Sequence, residues 1–168
     1  YHLNFPNFNF RGFYKHKSLF YLIASTTSIG APMLSTGFKT TPSGASEAII
    51  LKLDSNFNTV WSSYYGGNSI ESPFKMTFDK FDNFYISGIT YSTTGLFYKG
   101  LKNTLSGTYD IFLAKVSKNG NLLWSSYIGG NNIEQPADMS VDFMNNFYIT
   151  GWTKSSTGIS YKGHQDTF

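Results

Sequence analysis

Cysteine is missing from this 168-residue chain, so it can form neither a disulfide framework nor a thiolate metal site. Charge is scarce as well. Asp, Glu, Lys and Arg together make up 14% of the residues, with thirteen cations against ten anions and a formal net charge of +3. Nucleic-acid binding needs a concentrated stripe of cations that releases counterions. The one local concentration, Arg11, Lys15, His16 and Lys17, reads as a solvated edge, and no nucleic-acid partner is expected. Long apolar runs are absent too. The longest, Leu19 to Ala24, falls far short of the roughly 20 residues that span a bilayer as a helix, and no membrane span is expected. No P-loop and no Gly-x-Gly-x-x-Gly occurs, so no cofactor is expected. The chain opens at Tyr1 without a signal-peptide pattern, which predicts a processed chain or a piece of a larger one.

What the sequence has is aromatic and β-forming. Aromatics reach 18%, with 16 Phe and 12 Tyr, within a hydrophobic fraction of 40%. That profile suits many strands joined by Ser/Thr/Asn loops, and it is not the profile of disorder. The dominant feature is an internal repeat. Residues 47–105 align without a gap on residues 110–168, and 28 of those 59 pairs are identical, a period of 63. Trp61-Ser-Ser-Tyr64 returns as Trp124-Ser-Ser-Tyr127, Gly66-Gly-Asn68 as Gly129-Gly-Asn131, and Asn83-Phe-Tyr-Ile86 as Asn146-Phe-Tyr-Ile149. A long fixed period means one supersecondary unit copied along the chain, each copy burying its apolar faces against its neighbours.

Each unit carries four stretches with the two-residue alternation of strands. The first covers 75–79 and 138–142, the second 83–90 and 146–153, the third 48–53 and 111–116, the fourth 59–65 and 122–128. Turn formers separate them, including an Asn119-Gly120 hairpin signal. The third stretch is apolar on both faces, which predicts strands sandwiched between neighbouring sheets. The segment upstream of 47 follows the pattern loosely and diverges over 1–11. The units group as 12–67, 74–130 and a half unit at 137–168. One connection is long. About nineteen residues, Tyr91 to Tyr109, join the second and third stretches where a hairpin needs only about 2–5. Similar inserts span 27–46 and begin at 154. Recurrent long loops emerge on one side of an array, often its binding side.

The string Asp110-Ile-Phe-Leu-Ala-Lys115, Asn119-Gly-Asn-Leu-Leu-Trp124-Ser-Ser-Tyr-Ile-Gly-Gly130, Val141-Asp142, Asn146-Phe-Tyr-Ile-Thr-Gly151 resembles the bacterial β-propeller repeat called SBBP. The likeness covers most of 47–168 in two copies and weakly covers 20–46. It departs from that pattern at Phe57, where the turn glycine stands, at Met144-Asn145, and at Ser69-Ile-Glu71 and Asn132-Ile-Glu134, where acidic pairs are common. The resemblance implies an all-β fold of four-stranded antiparallel propeller blades and a setting among secreted or surface-anchored bacterial proteins. It transfers no catalytic residue. Two and a half blades cannot close a ring of the usual 4–8, so the chain is expected to belong to a parent at least twice as long, or to close by assembly.

Candidate site residues are few. Trp61 and Trp124 suit either sugar-stacking platforms or large core residues with the indole N–H bonded to backbone, and their apolar setting favours the core. Gly66, Gly67, Gly129 and Gly130 read as bulge or turn positions. Asp79, Asp142, Glu71 and Glu134 recur, but each loop offers a single acid, which favours turn capping over calcium. His2, His16 and His164 share no ligand spacing, and no catalytic residue is assigned. Tyr98-Lys99-Gly100 recurs as Tyr161-Lys162-Gly163, an aromatic and a cation that suit a glycan or peptide, or else a packed Tyr beside a solvated Lys. Tyr98, Lys99, Tyr161 and Lys162 are therefore the candidate ligand-binding residues. The expectation is a non-catalytic interaction or structural module at the bacterial cell surface or outside it. Its long loops would face protein or glycan partners, the remainder of the parent chain, or neighbours in an assembly. A lectin-like carbohydrate binder is the alternative, and a propeller-fold hydrolase or lyase the third reading.

Overall fold

The computed structural model describes residues 7–27 and 36–159. They form ten antiparallel strands and no helix, in sheets of four, four and two. The first sheet takes β1 (Phe8–His16), β2 (Leu19–Thr26), β3 (Glu47–Leu53) and β4 (Thr59–Tyr65) in chain order. The second takes β5 (Glu71–Phe78), β6 (Phe84–Thr90), β7 (Asp110–Val116) and β8 (Leu122–Ile128) in the same way. β9 (Glu134–Val141) and β10 (Phe147–Thr153) pair as the third. Among the described residues no sheet closes on itself.

The first strand of each unit starts earlier than alternation alone indicates. β1 begins inside the divergent stretch 1–11, and β5 and β9 begin at Glu71 and Glu134. The cause is a bulge. Arg11, Phe74 and Ala137 are skipped in the pairing register of β1, β5 and β9, and each extra residue reverses the facing of side chains on either side of it. Pro73 and Pro136 precede two of these bulges on edge strands, where no ladder donor is needed on the outer side. A second bulge recurs in the fourth strand, at Val60 and Leu123.

The polar turns are three-residue loops whose last residue is left-handed, at Phe57 (φ 64°), Asp82 (68°), Gly120 (85°) and Asn145 (64°). An aspartate before each loop stabilises this shape. Asp54 Oδ1 accepts the amides of Asn56 and Asn58, Asp79 those of Phe81 and Asn83, and Asp142 those of Met144 and Asn146. Turn capping is thus the role of Asp79 and Asp142. At Ser117–Asn121 a serine hydroxyl replaces the carboxylate, and Gly120 relieves the left-handed strain that Phe57 bears.

Successive sheets stack face to face. β5 lies against β1, β2 and β3, and β9 repeats the arrangement on β5, β6 and β7. Between the first two sheets, Tyr21, Ile23, Ala48, Ile50, Trp61 and Tyr65 meet Met76, Phe84, Ile86, Phe112, Ala114 and Val116 in one buried cluster. Trp61 stacks on Phe84 with centroids 5.9 Å apart, and Tyr65 tilts against Phe112 at 5.1 Å. Burial of β3 on both faces follows the sequence pattern, although its second face has a different cover. Ile49, Leu51 and Leu53 cluster there with Leu22 and Tyr64, packed by Phe8 and Phe20.

Trp61 is a core residue, 5% exposed. Its indole Nε1 has no hydrogen-bond partner among the described residues, contrary to the expected backbone bond. Phe84 stacks on the ring, and a Cβ at Gly120 would come within 3.2 Å of it. An unmade bond costs about 1–3 kcal/mol, less than the indole gains by burial. Trp124, its mate one repeat later, is only half-buried and meets Tyr85 edge-on at 6.0 Å. Trp61→Ala is expected to cost about 3–5 kcal/mol in urea unfolding, and Trp124→Ala less than half as much. Equal losses would contradict this inter-sheet role. Gly120→Val is expected to cost about 1–3 kcal/mol, since a Cβ there sits 3.2 Å from the Trp61 ring at a left-handed φ.

Candidate functional site

Wherever the chain leaves one sheet for the next, it passes between buried carboxylates. In the first unit, Lys39 from the long loop reaches Glu47 Oε1 and Oε2 at 2.6 and 2.7 Å and the Gly66 carbonyl at 2.7 Å. Glu47 also accepts the backbone amides of Ser43 and Gly44. The second unit repeats this with Lys102, Asp110 at 2.7 Å, the Gly129 carbonyl, and the amides of Ser106 and Gly107. Glu47 and Asp110 are essentially inaccessible to solvent, so each needs a complete set of donors. Their two lysines lie in the loop, eight residues upstream.

A second carboxylate faces the first across the glycines. Glu71 accepts bonds from the Thr90 hydroxyl at 2.8 Å, the Ser92 hydroxyl and the Gly67 amide at 3.0 Å. Glu134 repeats the set with Thr153 at 2.8 Å, Ser155, and the Gly130 amide at 3.2 Å. Burial pushes the Glu71 carboxyl above its ordinary value of 4.5, partly offset by the hydroxyl and amide donors, and neighbouring Glu47 adds to the rise. Turn capping, the reading for Glu71 and Glu134, is therefore corrected. Their carboxylates tie the sheet-to-sheet link to the start of the next long loop. Among the described residues, no group of three His, Asp or Glu suits a metal ion.

The glycine pairs have a reason other than turn geometry. None of Gly66, Gly67, Gly129 and Gly130 has a left-handed φ. A Cβ on Gly66 would strike Glu71 Oε2 and lie 2.8 Å from Glu47 Cγ, and one on Gly129 would lie 2.5 Å from Asp110 Cγ. A Cβ on Gly67 or Gly130 would likewise strike the carbonyl of Thr94 or Thr157. These glycines let the backbone pass between two acids. The asparagines after them fasten the next loop, since Asn68 Oδ1 accepts the amides of Thr93 and Thr94 and Asn131 Oδ1 those of Ser156 and Thr157.

The long loop then runs down the outer edge of the sheet. Tyr98 and Ser125 exchange backbone bonds at 3.2 and 2.7 Å, and Ser126 Oγ accepts the amides of Leu101 and Lys102. In the first unit, the Gly37 amide reaches the Ser62 carbonyl and Lys39 pairs with Tyr64. Loops laid on edge strands cover amides that would otherwise template aggregation. Tyr98 stays 42% exposed and, with Phe38, Asn121 and Leu122, lines a rim groove of about 390 Å³. The Lys99 ammonium lies 4.9 Å from the Tyr98 ring centroid, a cation–π distance. Tyr161 and Lys162 lie outside the described residues. So Tyr98 and Lys99 are adjacent and presented on the rim, not at the loop tip.

The basic cluster is partly engaged. Asp82 from the second unit receives Lys17 at 2.6 Å and His16 at 2.8 Å, and these bonds hold its carboxyl down at about 2. The solvated-edge reading thus gives way, for these two residues, to a link between successive turns. The clamp residues Lys39, Lys102, Thr90, Thr153, Ser92 and Ser155 were absent from the sequence-derived candidates. The signal was present in the 63-residue spacing of each pair. No protein-family model matches the chain, and the curated proteins contain no match to it.

Two outcomes follow from the clamp. Lys39→Met leaves Glu47 buried without its cation and is expected to cost about 3 kcal/mol, with faster proteolysis within 36–46. Glu71 binds its proton more tightly when folded than when unfolded, so its contribution to stability is complete below pH 4.5 and is lost as pH rises through the raised folded value. Glu71→Gln should therefore gain stability relative to the wild-type chain between pH 5 and 7. A pH-independent difference in urea midpoint would contradict that assignment.

Proposed function

We propose that this chain is a non-catalytic interaction or structural module of the β-propeller type, similar to the SBBP repeat, from a secreted or surface-anchored bacterial protein. Two four-stranded antiparallel sheets stacked in the same register, with a third begun on the same plan, support the blade reading. The resemblance through Trp124-Ser-Ser-Tyr-Ile-Gly-Gly130 and Asn146-Phe-Tyr-Ile-Thr-Gly151 supports the bacterial surface setting.

One observation carries the functional part. The recurring buried acids are consumed by internal partners, with Glu47 and Asp110 held by lysine and amides and Glu71 and Glu134 by hydroxyls and amides. Repetition of these residues therefore serves packing. What remains outward and accessible is the loop laid over each sheet edge, with Tyr98 and Lys99 on the rim. A loop held at both ends and along an edge strand presents its side chains with little ordering cost, which favours binding to a protein or glycan. Lectin-like binding of a carbohydrate is the second reading. It is favoured by the half-exposed Tyr98 ring in the groove with Phe38, where a pyranose face can stack.

A glycan array separates the two. An array without saturable sugar binding leaves the loop face to protein partners. The lectin reading expects binding that falls at least tenfold in the Tyr98→Ala, Tyr161→Ala double variant while the urea midpoint stays unchanged.

A further inference from the structure

The antiparallel order of the strands puts the short turns at one end of the sheets and the long loops at the other. Four of those short turns are tied to a neighbour. Lys17 Nζ donates to Asp82 Oδ2 at 2.7 Å, the Lys118 amide to Asn83 Oδ1 at 3.4 Å, and Lys80 Nζ to the Phe143 carbonyl at 3.2 Å. These bonds hold turn tips from all three sheets in one surface. Phe81, Phe143 and Met144 project from it, 59%, 82% and 63% exposed. Phe81 keeps its exposure although a tied turn flanks it on either side, so the projection comes from the turn itself. The Lys80 ammonium stands between the two phenylalanines, 5.3 Å from the Phe81 ring centroid and bonded beside Phe143.

Charge at this end is sorted by direction. The aspartates are turned onto the turns themselves: Asp54 and Asp142 cap their own amides, Asp79 is buried and pairs with Lys115 at 2.9 Å, and Asp82 holds Lys17 and His16. The exposed Lys80 and Lys118 pair with no carboxylate among the described residues. Outward, the surface therefore shows large apolar tips with unneutralised cations between them. Projecting tips are convex, and a rigid protein partner would need a matching hollow for each. A bilayer headgroup layer yields around a projecting ring, and an anionic one supplies the complementary charge.

We propose that the short-turn end is a docking surface for an anionic lipid bilayer. Phe81, Phe143 and Met144 enter the boundary between headgroups and acyl chains, and Lys80 and Lys118 meet lipid phosphates. Because the turns are already fixed by their aspartates and by one another, the tips enter without a folding step. The contact is peripheral and reversible, and no strand crosses the bilayer. This inference is independent of the loop-face function, since the long loops leave the sheets at the opposite end and stay open to their own partner.

The test is co-sedimentation of the purified chain with vesicles of phosphatidylcholine carrying about 30% phosphatidylglycerol, beside vesicles of phosphatidylcholine alone. Binding to the anionic vesicles is expected, weakening as salt is raised. Phe81→Ser combined with Phe143→Ser should lower that affinity at least tenfold, and Lys80→Gln combined with Lys118→Gln should abolish the preference for anionic vesicles. These side chains are exposed, so the urea midpoint should not change. Leu101→Ser removes an equally exposed apolar side chain from the rim beside Ser126 and should leave binding intact. Four results would overturn the proposal. They are no binding to anionic vesicles at low salt, equal binding to both kinds of vesicle, a loss in Leu101→Ser as large as in the double phenylalanine variant, and self-association that depends on Phe81 and Phe143, which would make a second copy the occupant.

Discussion

A buried carboxylate needs a full complement of donors, and in this chain that need organises every junction between sheets. Glu47 and Asp110 begin the third strand of their units, where no water reaches them. Each is served by a lysine and two amides from the loop just upstream. The long loop therefore has one conformation that works: it must return along the edge strand to bring its lysine to the acid. The second acid, Glu71 or Glu134, fixes the start of the next unit to the same place. Two acids so close leave room for backbone without side chains, and the glycine pair follows. Removing one partner from such a set costs more than the net worth of the bond, because a charge is left buried and unpaired.

Apolar packing supplies the other half of the architecture. The third strand of each unit is apolar on both faces, so a sheet gains stability by packing against its neighbour. The aromatic stack of Tyr21, Phe84, Trp61 and Phe78 runs from one sheet into the next. The turns add a polar seam, with Lys17 and His16 reaching Asp82, and Lys80 reaching the Phe143 carbonyl. β3 is buried throughout and β7 nearly so, whereas β1 and β10 are half-buried or exposed at every position.

Much of this was legible beforehand. Strand positions, turn positions and the two-faced burial of the third strand follow from alternation and from the repeat, because local sterics and hydropathy set them. Strand starts were not, because a bulge at Phe74 breaks the period of two that reveals a strand. Glu71 and Glu134 read as turn acids, since a carboxylate beside glycine and asparagine in sequence carries no sign of a serine 21 residues downstream. Tyr98 and Lys99 adjoin in the sequence, but their position on the rim depends on Ser125, which no spacing rule connects to them.

By itself the sequence determined the class and the plan: all-β, repeated every 63 residues, four strands to a unit, one long loop in each. Periodicity is a local property, and a copied unit must solve its packing the same way each time. Only the tertiary structure decided which repeated polar residues are buried partners and which face solvent. It also decided that Trp61 and Trp124, identical in sequence context, differ in environment. Those outcomes depend on what lies across the sheet interface, tens of residues away in the chain, where neither propensity nor spacing carries information.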